Sequence, residues 1–156
     1  MILGIDPGKQ GAFVLMDMEG GIVWCVDMPE DDIEKDRIIS SAIPSYIGNS
    51  TIVWIEKVHS MPNDGVASAF KFGENYGMLQ GMLIANEFSI NYVEPKVWQR
   101  AAGIRKTDKK RHCEICANTW PNIDFYGPRG GLKDGRADAA LIASYGLGIV
   151  RKRGEL

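Results

Sequence analysis

Four carboxylates stand where strands and a helix should end. They are Asp6 after Ile2-Leu3-Gly4-Ile5, Glu56 after Ile52-Val53-Trp54-Ile55, and Asp134 and Asp138 in Lys133-Asp134-Gly135-Arg136-Ala137-Asp138. An acid that directly ends a buried apolar run is not placed to solvate a surface. Several such acids in one pocket repel one another unless a positive charge sits among them. A divalent cation answers that need, because hard ions such as Mg²⁺ bind through carboxylate oxygens. Neighbouring strands lie about 4.8 Å apart, so acids ending paired strands can share a cation. Asp134 and Asp138, four positions apart, share one helical face. Where that face meets the strand ends, one pocket gathers four carboxylates and can hold two ions about 3.5–4 Å apart, which supports in-line attack of water on a phosphodiester. Taken singly, an Asp before Pro-Gly is a turn former and an Asp in a helix a cap or a solvated residue. Taken together, with two of them closing apolar strands, the acids outgrow that reading. Glu56 is the strongest case, since no polar residue buffers it from the run before it.

The elements that must position these acids follow from patterning. Residues 2–6, 11–17 and 21–27 are rich in strand formers, with Glu19-Gly20-Gly21 as a hairpin turn. Residues 33–47 form a modest helix that Pro44 weakens, and Thr51 to Ile55 a short apolar strand. Over 66–87 apolar and small residues recur at three- and four-residue spacings, the strongest helical signal in the chain. Gly73, Gly77 and Gly81 fall on one face of it, which costs helix propensity and points to close approach of a strand or of another subunit's helix. A strand at 89–93, a short helix opened by Pro95, a helix capped at Thr107-Asp108 and a last helix over 134–150 complete the series. Strands first, then alternating helix and strand, predict one mixed α/β domain spanning 1–156.

Composition agrees. A chain of 156 residues with 45% hydrophobic content is long enough for one buried core. Three cysteines are too few for a disulfide framework, and Cys113-Glu114-Ile115-Cys116 has no second pair to complete a zinc site, so both read as residues of an amphipathic helix. No basic leader and no apolar run near about 18 residues is present, which predicts a soluble intracellular protein with no membrane partner. The net charge of −2 hides an uneven spread. Acids crowd Glu30 to Asp36, a solvated turn and helix start, whereas Lys96 to Arg111 is rich in cations that phosphates would meet.

The ordered set Gly4-Ile5-Asp6-Pro7-Gly8, Ile55-Glu56-Lys57-Val58, Ser68-Ala69-Phe70-Lys71-Phe72-Gly73 with Gly77, Val93-Glu94-Pro95-Lys96-Val97-Trp98, and Asp138-Ala139-Ala140-Leu141 resembles the RuvC-type Holliday junction resolvases of the ribonuclease H-like superfamily, over about residues 2–145. The shortness of the chain and its Lys-Asp-Gly-Arg-Ala-Asp-Ala ending look more like phage-encoded members. The resemblance implies a central mixed five-stranded sheet flanked by helices. It also implies a homodimeric endonuclease, dependent on Mg²⁺ or Mn²⁺ with two ions per site, that places symmetric nicks in four-way DNA junctions. Its setting would be the cytoplasm of a bacterial or phage-infected cell.

Residue by residue, Asp6, Glu56 and Asp138 match the family's metal-binding acids. Asp134 departs from the pattern: the family places its fourth ligand three residues before the last Asp, where this chain has Gly135. The loop after Glu56 is about two residues longer, and His59 stands where the family carries an aromatic that enters the junction centre. Arg105, Lys106, Lys109, Lys110, Arg129, Lys133 and Arg136 are the candidate DNA contacts. Three rivals stand beside this reading. An actin-like kinase also opens with a strand-Asp turn, but it needs a second domain, and no P-loop or nucleotide cofactor site is encoded. A non-catalytic scaffold would keep mutually repelling acids without a use. A nuclease of the same fold would act on flaps, forks or RNA hybrids instead.

Overall fold

The computed structural model describes residues 1–43, 51–58, 65–104 and 108–153, with 149–153 as helix backbone only. Three strands open the chain, β1 (Ile2–Asp6), β2 (Ala12–Met16) and β3 (Ile22–Asp27), each pairing antiparallel with the next. The β2–β3 turn is drawn tight by the Asp17 carboxylate, which accepts the N–H groups of Glu19 and Gly21, and Gly20 takes φ +96°, a region glycine enters without steric cost. Helix α1 (Asp32–Ser41) follows, with the Asp31 side chain accepting the Glu34 N–H at its start. It stops short of the 33–47 expected from patterning, and Pro44 lies outside the described residues.

The remaining elements are β4 (Ile52–Glu56), α2 (Val66–Ala85), β5 (Ser89–Val93), α3 (Pro95–Ala101), α4 (Lys109–Thr119) and α5 (Asp134–Arg153). The sheet order is β3-β2-β1-β4-β5, with β4 parallel to both β1 and β5. This is the five-stranded mixed sheet flanked by helices that the sequence predicts.

Strand alternation divides the core in two. Leu3, Ile5, Phe13, Leu15, Val53 and Ile55 pack under α1 and α2 with Ile39, Leu79 and Leu83. Ile2, Val14, Met16 and Trp54 pack on the other face against Trp98 of α3, the two buried cysteines of α4, and Ala139 to Ala143 of α5. A period of two therefore turns Asp6, in step with Ile2 and Gly4, and Glu56, in step with Ile52 and Trp54, towards α5.

At Gly4, helix α5 comes directly against the backbone of β1. A Cβ on Gly4 would run into the Ala139 carbonyl and come within 2.8 Å of both the Ala143 nitrogen and its methyl group. At the helix start, a Cβ on Gly135 would strike the Gln10 carbonyl and lie 2.7 Å from Gly11 Cα. Overpacking at such a contact costs about 1–3 kcal/mol. Gly4→Ala is expected to lose about that much stability in urea denaturation; unchanged stability would show that α5 can move away freely.

Candidate active site

Asp6 is the last residue of β1 and Glu56 the last of β4, and the parallel register that pairs Ile5 with Ile55 sets them side by side. The Asp6 Oδ1 atom accepts the Gly8 N–H at 3.0 Å, which ties the carboxylate to the turn that Pro7 and Gly8 make. Glu56 Oε2 accepts the indole N–H of Trp98 at 2.8 Å. From α5, Asp138 offers Oδ1 to His112 Nδ1 and Oδ2 to the Lys109 ammonium, each at 2.6 Å. Lys109 also lies 3.1 Å from Asp134 Oδ2.

The electrostatics show that these acids share one environment. Burial pushes Asp6 up from 3.8 to about 6; the charges of Asp138 and Asp134 add to the rise, while the Gly8 N–H and Lys109 oppose it. Burial likewise pushes Glu56 from 4.5 to about 7, reinforced by Asp6 and Asp138 and opposed by the Trp98 bond and Lys109. Burial alone would lower the Lys109 ammonium, but its bonds to Asp138 and Asp134 leave it above its usual value. Among the described residues, Lys109 is the cation that faces these four acids.

Among the described residues no three His, Cys, Asp or Glu side chains are drawn into a ready-made metal cage. The donor set nevertheless fits a hard divalent ion. Each of Asp6, Glu56, Asp138 and Asp134 offers carboxylate oxygens, and burial, with the neighbouring acids, holds Asp6 and Glu56 above their ordinary values. The departure at position 135 also has a physical reason. The β1–β2 turn presses on Gly135 so closely that no side chain fits there, and the acid stands at Asp134, where it meets Lys109.

The other cations are less alike than their sequence suggests. Lys133 and Arg136 both pair with Asp27 at the end of β3, at 2.8 and 2.5 Å, and Arg136 also donates to the Asp124 carbonyl. Lys110 is exposed beside Glu114, and Arg129 is exposed on the loop before α5. His59, Arg105 and Lys106 lie outside the described residues. On the sheet face opposite α5, a groove of about 740 Å³ leads from Gly8 and Glu56 between α1 and α2, lined in part by Lys9, Lys57, Lys71 and Phe72.

No protein-family model matches the chain, and no curated protein sequence matches it. Solved structures do. Thermus thermophilus RuvC in complex with a Holliday junction substrate superposes with a TM-score of 0.67 at 12% identity, over 98% of this chain and 95% of that one. A second T. thermophilus RuvC structure gives 0.56 at 17% identity, over 98% and 96%. The chain has a RuvC-like fold.

Within that fold, two residues of the centre were not among the site residues read from sequence. Trp98 and His112 are fully buried and hydrogen-bond two of the acids. His112 carried a signal, since it stands three residues after Lys109 and so shares its helical face. Trp98 carried none beyond its place in a motif, because its contact with Glu56 crosses from α3 to β4. Lys109, read from sequence as a DNA contact, lies among the carboxylates instead of on an open face.

A carboxyl whose folded value is raised contributes stability below its unfolded value and loses it as pH rises through the folded one. For Glu56 that window runs from 4.5 to about 7. Metal-free Glu56→Gln is therefore expected to melt above wild type at about pH 8, with the difference closing as pH falls towards about 4. A lower melting point for the variant at alkaline pH would contradict the repulsion described.

Proposed function

We propose that the chain is a divalent-metal-dependent endonuclease that cuts branched DNA, four-way junctions foremost, by paired symmetric nicks. The observation that carries this reading is the meeting of Asp6, Glu56, Asp138 and Asp134 around Lys109. Asp6, Glu56 and Asp138 would hold Mg²⁺ or Mn²⁺, two ions per site with Asp134 as the fourth ligand. The bound ions supply an acidified water and charge stabilisation for the leaving 3′-oxygen. The chain's own residues orient the reaction. The Gly8 N–H and the Trp98 indole fix one oxygen each of Asp6 and Glu56, and Lys109 places positive charge where a phosphate would arrive.

The likeness to a RuvC in complex with a Holliday junction substrate supports the substrate class. Lys110 and Arg129 offer exposed cations, and Lys9, Lys57 and Lys71 line the groove that adjoins Glu56. His59, Arg105 and Lys106 are proposed contacts on the basis of their sequence positions. Lys133 and Arg136 would act at the DNA while anchored to Asp27. The Lys133-Asp134-Gly135-Arg136-Ala137-Asp138-Ala139 motif supports a phage-type member working in the host cytoplasm.

Dimerisation through α2 completes the proposal. This helix buries only Leu79 and Leu83, while Val66 and Phe70 are 88% and 73% exposed on the face that continues through Gly73, Gly77 and Gly81. Among the described residues, nothing lies within 4 Å of a Cβ built on any of those three glycines. The described strands leave that face open, which supports the helix of a second copy as its close partner.

With a labelled four-way junction, paired nicks are expected in Mg²⁺ and none in EDTA. Asp6→Asn and Asp138→Asn are each expected to lower the rate by about 100-fold or more, as removal of a metal ligand or its support does. Full-rate cutting by either variant would sink the metal assignment, and cutting of flaps or forks in preference to junctions would move the substrate within the fold. Light scattering should give twice 17.2 kDa for wild type and a shift to monomer for Phe70→Glu; a monomeric wild type would refute the α2 interface.

A further inference from the structure

We infer that Trp98 and His112 form a buried positioning unit that aims Glu56 and Asp138 at the metal site, an inference that rests on the proposed metal-dependent function. Four elements contribute to one line of contacts. Glu56 at the end of β4 accepts from Trp98 on α3 at 2.8 Å. The Trp98 ring meets the His112 ring on α4 edge to face, with centroids 5.9 Å apart at 75°. His112 Nδ1 lies 2.6 Å from Asp138 Oδ1 on α5. Both rings are fully buried.

The chemistry of the two rings suits positioning. An indole nitrogen only donates, so its partner must present an acceptor in one place. Carboxylates that repel one another gain by rotating apart, and a donor fixed from below removes that freedom. Buried polar rings are costly without partners, and each of these places a hydrogen bond on one of the acids. Packing alone would be served by Phe at 98 and Leu at 112. The edge-to-face contact couples the two supports, so displacement of one ring shifts the other.

Outer partners of metal ligands typically change metal affinity by about 10–100-fold when removed. The test titrates Mn²⁺ into the metal-free full chain by calorimetry, with a melting curve for every variant. Trp98→Phe keeps the ring and loses the donor. His112→Leu keeps the bulk, and His112→Asn restores a nitrogen near the Nδ1 position. Mn²⁺ affinity is expected to fall about tenfold or more in Trp98→Phe and His112→Leu and to recover in His112→Asn. Affinity for a four-way junction in EDTA should stay as in wild type for all three.

Wild-type affinity in both Trp98→Phe and His112→Leu overturns the inference and leaves the nuclease reading standing. Loss in His112→Leu that His112→Asn does not restore assigns His112 to packing and overturns its part. If Trp98→Phe fails to fold, the comparison of Leu with Asn at 112 still decides the matter. A wild-type chain that takes up no Mn²⁺ defeats the metal reading itself, and this inference with it.

Discussion

The backbone of α5 rests directly on β1 at Gly4 and on the β1–β2 turn at Gly135, and those two contacts set where the acids of α5 stand. Gly4 admits the helix at Ala139 and Ala143, and Gly135 admits the turn at Gln10 and Gly11. A helix held this close brings Asp138 over the end of β1. The same contact decides which residue of the first helical turn can carry a functional side chain. Position 135 faces backbone and must be glycine, so Asp134 meets Lys109 in its stead.

Close packing creates an electrostatic problem that the chain meets with fixed donors. Burial and mutual repulsion lift Asp6 to about 6 and Glu56 to about 7. Three kinds of donor oppose the rise: a turn N–H from Gly8, the indole of Trp98 and the ammonium of Lys109. None of the three cancels it, so both carboxyls stay above their ordinary values. The cysteines of α4 take no part in this. Both are fully buried against α5, and burial pushes the Cys113 thiol up to about 11. They fill core volume as small apolar residues.

The two faces of the sheet divide the labour. The α5 face is tightly packed and carries the acids, while the groove between α1 and α2 opens from Glu56 and carries lysines. Lys57 follows Glu56 directly, yet alternation sends the two side chains to opposite faces. One strand end thus serves both the acid pocket and the groove. Helix α2 closes the groove with Leu79 and turns its glycine-lined face outward.

The order of elements, the five strands and the placing of Asp6 and Glu56 at strand ends and of Asp138 in a helix were legible in the sequence, because each rests on local pattern. Apolar runs ending in a carboxylate, and two acids four positions apart on a helix, need no knowledge of distant contacts. Helix ends were less legible where the decisive chemistry is weak, as at α1, which stops at Ser41. What only the tertiary structure decided was which partners the acids have. Glu56 meets Trp98 across 42 residues and Asp138 meets His112 across 26, and Lys133 and Arg136 turn to Asp27 across more than 100. A charged or aromatic side chain has the same composition signal on an open face as in a buried pair. Its role is set by which backbones approach, and in this protein that was decided where glycines let α5 settle onto the sheet.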